Sequence, residues 1–232
     1  AIRIFKAARQ LGVITVLDVA IPEPGHYLPQ LEHILEHTDV FLPNTTEAEL
    51  ILGESRPIVQ ARKFQELGAK TVVITCGNNG CVLVDSEIQI EVGVYPVSFL
   101  DGSGCGDAFD AGYIYGILQG FSPEECTRWG SVLGASCVRS IGTTNGVFTY
   151  DQASDFMKEH PLPIRWYLDK AAWPMSIRRP SACRAPSPYT AHRLLAGTAG
   201  IMSSRPNIIF ISDQYSFRDA GYAGHPIVRT LN

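Results

Sequence analysis

Short β-branched runs alternate with stretches of helical period from residue 1 to about residue 160, and this alternation limits the fold more than any other feature. Residues 13–18 (VITVLD), 40–42 (VFL) and 71–75 (TVVIT) read as strands buried on both faces. Residues 81–84 and 88–92 read as a hairpin. Helical patterns cover 1–11, 28–37, 45–52, 57–67, 104–120 and 123–140, several of them closed by glycine. Strands that alternate with helices predict an α/β fold: a mostly parallel sheet covered by helices on both faces.

Composition excludes several function classes. At 45% hydrophobic and 18% charged residues, the 232-residue chain is not a largely disordered one. A net charge of −4 argues against a nucleic-acid coat or a polybasic membrane binder. No apolar run approaches the ~20 residues that span a bilayer. The start, AIRIFKAARQ, lacks signal-peptide architecture, so a cytoplasmic protein is expected. The six cysteines form no Cys-x-x-Cys pair and read as reduced thiols.

The chemistry concentrates in Asp101-Gly-Ser-Gly-Cys-Gly-Asp107-Ala-Phe-Asp-Ala-Gly112. Alternate glycines let backbone approach a ligand, and the helix that follows offers free N–H groups and a partial positive charge. That is an anion site suited to a phosphoryl group. Asp107 beside it is costly unless it takes a proton from an attacking hydroxyl. No Gly-Lys-Ser/Thr follows, so this is not a P-loop.

This segment resembles the second signature of the ribokinase-like (PfkB) carbohydrate kinases. Leu42-Pro-Asn-Thr-Thr-Glu-Ala-Glu49 is similar to the family's Asn-x-x-Glu segment, and residues 72–80 (VVITCGNNG) to its nucleotide-side strand and turn. Residues 131–146, with Ser140-Ile-Gly-Thr-Thr-Asn145, resemble its late helix and loop. The resemblance implies a ribokinase-like, Rossmann-like sheet and ATP-dependent phosphorylation of a small-molecule sugar. Asp107 would be the base, and the N–H groups of Gly104, Cys105 and Gly106 the anion hole. Asn44 and Glu47 would organise Mg²⁺ through water. Thr75, Gly77 and Gly80 would line the ATP site, with Ser131 and Gly142 near the adenine. Asp101 and the Gly142 loop would border a monovalent cation of the K⁺ type. A nucleoside or vitamin alcohol in place of the sugar, or a nucleotide-binding module without chemistry, are the alternative readings.

Three departures accompany the match. Gly102 stands where Thr is frequent, Cys105 where Ala is common, and Asp18-Val-Ala20 replaces an Asp-x-Asn pattern. The sugar-reading half of the family pattern is missing before residue 1, so the chain is expected to be a fragment, impaired in sugar phosphorylation. An uncovered edge is expected near residues 13–18, with self-association through it.

Three segments are expected: 1–164 as the kinase half, 165–201 as a spacer, and 202–232 as a new unit. The last begins with the strand-like residues 206–211 (PNIIFI) and resembles the start of a type I sulfatase, where Asp213 would hold Ca²⁺. The sulfatase nucleophile motif is missing, which excludes that activity. His33-Ile-Leu-Glu-His37 reads as a solvated helix face and not as a zinc site, Cys105 as a small loop residue, and Trp129 as packing. Asp110 reads as a solvated helix-surface acid, able at most to assist Asp107.

Overall fold

The computed structural model describes residues 1–21, 25–167 and 207–213. The loop prolines at 22 and 24, Cys183, most of the expected spacer and residues 214–232 lie outside the described residues. Seven helices and seven strands follow in chain order among the described residues. They are α1 (Ile2–Gln10), β1 (Ile14–Val19), α2 (Leu28–Leu35), β2 (Val40–Phe41), α3 (Thr45–Leu52), α4 (Pro57–Glu66), β3 (Thr71–Thr75), β4 (Cys81–Val84), β5 (Gln89–Val92), α5 (Cys105–Leu118), α6 (Pro123–Cys137), α7 (Tyr150–Glu159), β6 (Ile164–Trp166) and β7 (Ile208–Asp213).

All seven strands form one sheet in the order β6-β5-β4-β3-β2-β1-β7. The pairings β7–β1, β1–β2 and β2–β3 are parallel, and those from β3 through β6 are antiparallel. Five strands therefore point one way, and β4 and β6 run against them. The sheet is the expected α/β sheet, mostly parallel in strand direction, with helices on both faces.

Alternation along the strands sorts the core into two layers. Val16, Val73, Cys81 and Leu83 face one cluster with Tyr113, Ile117, Cys126 and Val132 of α5 and α6. Leu17, Val72, Ile74, Val82 and Val84 face the other with Phe5 of α1, Leu35 of α2 and Phe64 of α4. Burial on both faces is why TVVIT reads as one unbroken apolar run. Only Phe5 and Ala8 of α1 are buried, while Ile2, Ile4 and Leu11 stay exposed. The apolar pattern of this helix is wider than the face it covers, because α1 packs mainly against β1 and α2.

The structure departs from the sequence expectation at three places. α7 and β6 occupy residues left without an assignment or given to the spacer. β7, expected to open a new unit, pairs with β1 in register from Ile14 opposite Ile208 to Val19 opposite Asp213. The edge expected to lie open at β1 is thus filled. Ile208 packs on the first cluster, and Ile209 and Ile211 on the second, so the alternation of β7 matches both layers. Asp213 closes β7, and its side chain lies outside the described residues.

Candidate active site

The parallel strands bring their C-terminal ends to one edge of the sheet, where open α/β sheets bind ligands. Asp18 stands near the end of β1. The chain leaves β2 through Leu42 and Pro43 to Asn44, and β3 ends on Thr75. Asn44 and Thr75 form an isolated parallel bridge, and the Thr75 N–H donates to the Pro43 carbonyl at 3.0 Å.

Asn44 and Glu47 close a capping box at the start of α3. The Glu47 N–H donates to Asn44 Oδ1 at 2.9 Å, and the Asn44 N–H donates to Glu47 Oε2 at 2.9 Å. The sequence pairing of these two residues therefore has a local structural basis, and it fixes both side chains at the strand edge. Burial pushes the Glu47 carboxyl up to about 7, with the negative charge of Asp18 adding to it and the N–H groups of Asn44 and Ile21 opposing it.

At the N-terminus of α5, Gly104 sits at φ 75°, a left-handed conformation. A Cβ there would lie 2.8 Å from Thr143 Cα, so the turn is also pressed against the 142–143 loop. Asp101 holds the two together. Its Oδ1 accepts from the Ser103 N–H at 3.0 Å and the Ser103 hydroxyl at 2.9 Å, and its Oδ2 accepts from the Gly142 N–H at 3.0 Å. The N–H groups of Gly142 and Ser103 keep this carboxyl below the usual carboxylate range. Asp107 lies in the first turn of α5 and is exposed. A Cβ on Gly106 would meet nothing within 4 Å, so the backbone there faces open space. The Cys105 N–H donates to the Gly102 carbonyl over 3.3 Å, a long bond that leaves it partly engaged. Burial pushes the Cys105 thiol up, against a nucleophilic role, and the residue, expected in the loop, is the first of α5.

The reading of Asp110 as a solvated acid is corrected: it is 3% exposed. Burial pushes its carboxyl up to about 9, and the charges of Asp18, Asp107 and Glu47 add to the shift. Acids from β1, α3 and α5 thus act on Asp110 in the same direction. The sequence missed this because α5 lies between the sheet and α6 and is buried on most of its faces, Asp110 included.

The turn after β3 is a short 3₁₀ segment, Gly77–Asn79, closed by the Cys76 N–H donating to the Gly80 carbonyl at 2.7 Å. Gly80 has φ 84°, and a Cβ on it would fall 1.9 Å from the Val92 carbonyl oxygen. No side chain fits there, which keeps the turn flat against β5. Cys76 and Asn79 of this turn help line a cavity of about 690 Å³ together with Glu49 of α3 and Glu91 of β5. Ser131 on α6 acts on the buried Cys81 thiol at the start of β4. The structure therefore groups Asn44 with Glu47 and Thr75, and Asp101 with the Gly104 turn and Gly142.

Among the described residues no three His, Cys, Asp or Glu side chains stand close enough to hold a metal directly. His33 is exposed on α2, and His37 lies beyond the end of that helix. The donors at the strand edge are carboxylate and amide oxygens, the chemistry of a hydrated Mg²⁺ held by one or two carboxylates and by substrate phosphates. No helix among the described residues is long and apolar enough to cross a membrane.

A parallel-stranded edge beside the N-terminus of a glycine-led helix is the arrangement with which open α/β proteins bind phosphate-bearing ligands. The model of the pfkB family carbohydrate kinases matches residues 1–149, and the chain belongs to that family. It is 33% identical over 130 residues to an uncharacterized sugar kinase of Archaeoglobus fulgidus, covering 56% of this chain and 52% of that one. The structure of Arabidopsis thaliana ribokinase complexed with ribose and ATP aligns with TM-score 0.60 at 25% identity, over 68% of this chain and 51% of that one. An E. coli protein described as ribokinase II in complex with ATP and Mg²⁺ aligns with TM-score 0.52 at 29% identity, over 57% and 43% of the two chains. The chain spans about half the length, or less, of the curated relatives it matches.

Proposed function

We propose that residues 1–164, their sheet extended by β7, carry the nucleotide-binding and proton-transfer side of an ATP-dependent sugar kinase. The observation that carries this reading is Asp107, exposed in the first turn of α5 directly after the left-handed Gly104 turn that Asp101 ties to the Gly142 loop. In the reaction the acceptor hydroxyl gives its proton to Asp107. Its oxygen bonds to the γ-phosphorus of ATP, the bond from that phosphorus to the bridging oxygen breaks, and ADP leaves. Charge that builds on the transferring oxygens faces the positive end of α5 and the N–H groups of Gly104, Cys105 and Gly106.

Thr75, Gly77 and Gly80 line the nucleotide side, with Ser131 and Gly142 toward the base. Asn44 and Glu47 hold the water shell of Mg²⁺, which when bound neutralises phosphate charge. Asp101 and the Gly142 loop take a K⁺-type cation, and their hydrogen bond already closes that corner.

The test is calorimetric titration of the chain with MgATP, followed by a panel of sugars read by ³¹P NMR. MgATP binding with phosphate transfer to one sugar class supports the reading. An Asp107→Asn variant that binds MgATP and transfers at the parent rate would remove Asp107 from its role. A chain that binds no MgATP overturns the reading altogether.

A further inference from the structure

The turn after β3 has residues of two kinds. Thr75, Gly77 and Gly80 belong to the nucleotide reading, whereas Cys76 and Asn79 line the cavity of about 690 Å³. No residue given above to the nucleotide, to Mg²⁺ or to the transferred phosphoryl group lines this cavity. It therefore lies beside the proposed site and shares the 76–80 turn with it. Its volume is within the about 300–1,000 Å³ of sites that enclose small organic molecules.

The lining is apolar with charged groups set into it. Val82 of β4 and Val92 of β5 are buried there, with Pro57 at the start of α4 and Pro163 and Ile164 at the start of β6. Glu49 of α3 and Glu91 of β5 bring two carboxylates, and Arg165 of β6 brings one guanidinium, 3.7 Å from Glu91. Glu49 has no ion pair among the described residues. Ser55 and Asn79 add neutral hydrogen-bonding groups. An apolar body would displace water from the valines and prolines, and a positive group would meet the acid left over. A carboxylate or phosphate would face two acids and an arginine already engaged by one of them.

We infer that this cavity is a second ligand site, for a small organic molecule that carries an ammonium group on an apolar body. The site stands on the cavity and its lining. Its effect on MgATP rests on the kinase reading. The turn is closed on itself, because the Cys76 N–H donates to the Gly80 carbonyl at 2.7 Å and Gly80 leaves no room above the Val92 carbonyl oxygen. A ligand against Cys76 and Asn79 thus acts on the short turn that holds Gly77 and Gly80. The two ligands then change each other's affinity by one common factor.

The probe is tryptamine, with tryptophol and indole-3-propionate as neutral and anionic counterparts of similar size. Calorimetry on the full chain at about pH 7 measures binding, and ¹⁵N amide shifts locate it. Tryptamine is expected to bind at least about fivefold more tightly than either counterpart and to shift the amides of Asn79, Glu91 and Ile164. Two variants at exposed positions check the place. Glu49→Gln is expected to weaken tryptamine about fivefold and to leave tryptophol within about twofold of the parent. Ser55→Trp, which puts an indole where the probe would sit, is expected to weaken tryptamine at least about tenfold. Saturating tryptamine is expected to change MgATP affinity at least about threefold.

No tryptamine binding, equal binding of the three probes, shifts confined to other residues, or parent-like binding by both variants each overturns the inference. Unchanged MgATP affinity with tryptamine bound overturns the coupling. A chain that binds no MgATP refutes the kinase reading, while the probe series still decides the cavity.

Discussion

The Asp101 carboxylate accepts the N–H of Gly142 at 3.0 Å and so joins the turn before α5 to the loop after α6. The same carboxylate folds the turn on itself through Ser103. Because the bonds lie at the surface, they contribute little to global stability. Their effect is local, since they set the approach to the helix N-terminus. Asp101→Ala is expected to weaken MgATP binding about tenfold while moving Tm by less than about 3 °C. Calorimetric titration beside a thermal melt measures both, and unchanged binding would separate Asp101 from the site.

Asp107 is exposed at the first turn of α5, so its replacement disturbs no core contact. Asp107→Asn keeps the shape of the side chain while removing a base. Sugar phosphorylation is expected to fall by about 10²–10⁴-fold with MgATP affinity within about threefold of the parent. Initial rates and equilibrium binding, measured on one preparation, check the split.

Glu47 and Asp110 make the fold sensitive to pH. Each holds its proton more tightly in the folded chain, where burial pushes them up to about 7 and about 9. Their contribution is therefore full at low pH, below the unfolded values near about 4, and is lost as pH rises through the folded values. Tm is expected to fall from about pH 5 to about pH 9. Asp110→Asn is expected to flatten the upper part of this fall and leave the part due to Glu47. Scanning calorimetry in a buffer series reads the slope, and a variant with the parent's slope would deny Asp110 its share.

α5 and α6 meet through glycines. A Cβ on Gly112 would stand 2.3 Å from the Trp129 carbonyl oxygen, and one on Gly116 would stand 2.8 Å from Cys126 Cα. The backbone itself blocks the added carbon, so no rotamer change can make room. Gly112→Ala is expected to cost about 2–3 kcal/mol, since overpacking must push the two helices apart. Urea unfolding of the variant gives the value. Trp129 fluorescence reports the displacement, because its ring stacks on Tyr150 at 5.4 Å between centroids.

The parts read most clearly from sequence have local causes. Thr71–Thr75 is a strand because its apolar side chains fill both layers, and Thr45–Leu52 is a helix because Asn44 and Glu47 cap it. α7 is legible in the same way, because Thr149 and Gln152 form a capping box of the ordinary spacing. β6 is three residues long at the sheet edge, too short for any period to show. Asp110 was misread because a polar residue on a helix is taken as exposed unless the helix is covered on most sides, a property of α6 and the sheet and not of α5 alone. β7 looked like the start of another unit because its partner, β1, lies far away in sequence, and non-local pairing leaves no local trace.

That non-local pairing carries the last prediction. Ile209 stands opposite Thr15 and packs on the cluster that holds Leu17 and Phe41, together with Ile211. Ile209→Asp would place a charge against this apolar layer, where no cation of the cluster can meet it. The strand is expected to leave β1 and not to carry the charge in. Amide exchange of Ile14 and Val16, whose N–H groups face β7, would then accelerate, because the outer edge of β1 would open to water. An open parallel edge with apolar flanks is also a template for another chain. The variant is therefore expected to self-associate at concentrations where the parent does not, which sedimentation velocity measures. Unchanged exchange in β1 would show that the sheet does not depend on β7, and faster exchange without association would show that the opened edge is protected by other means.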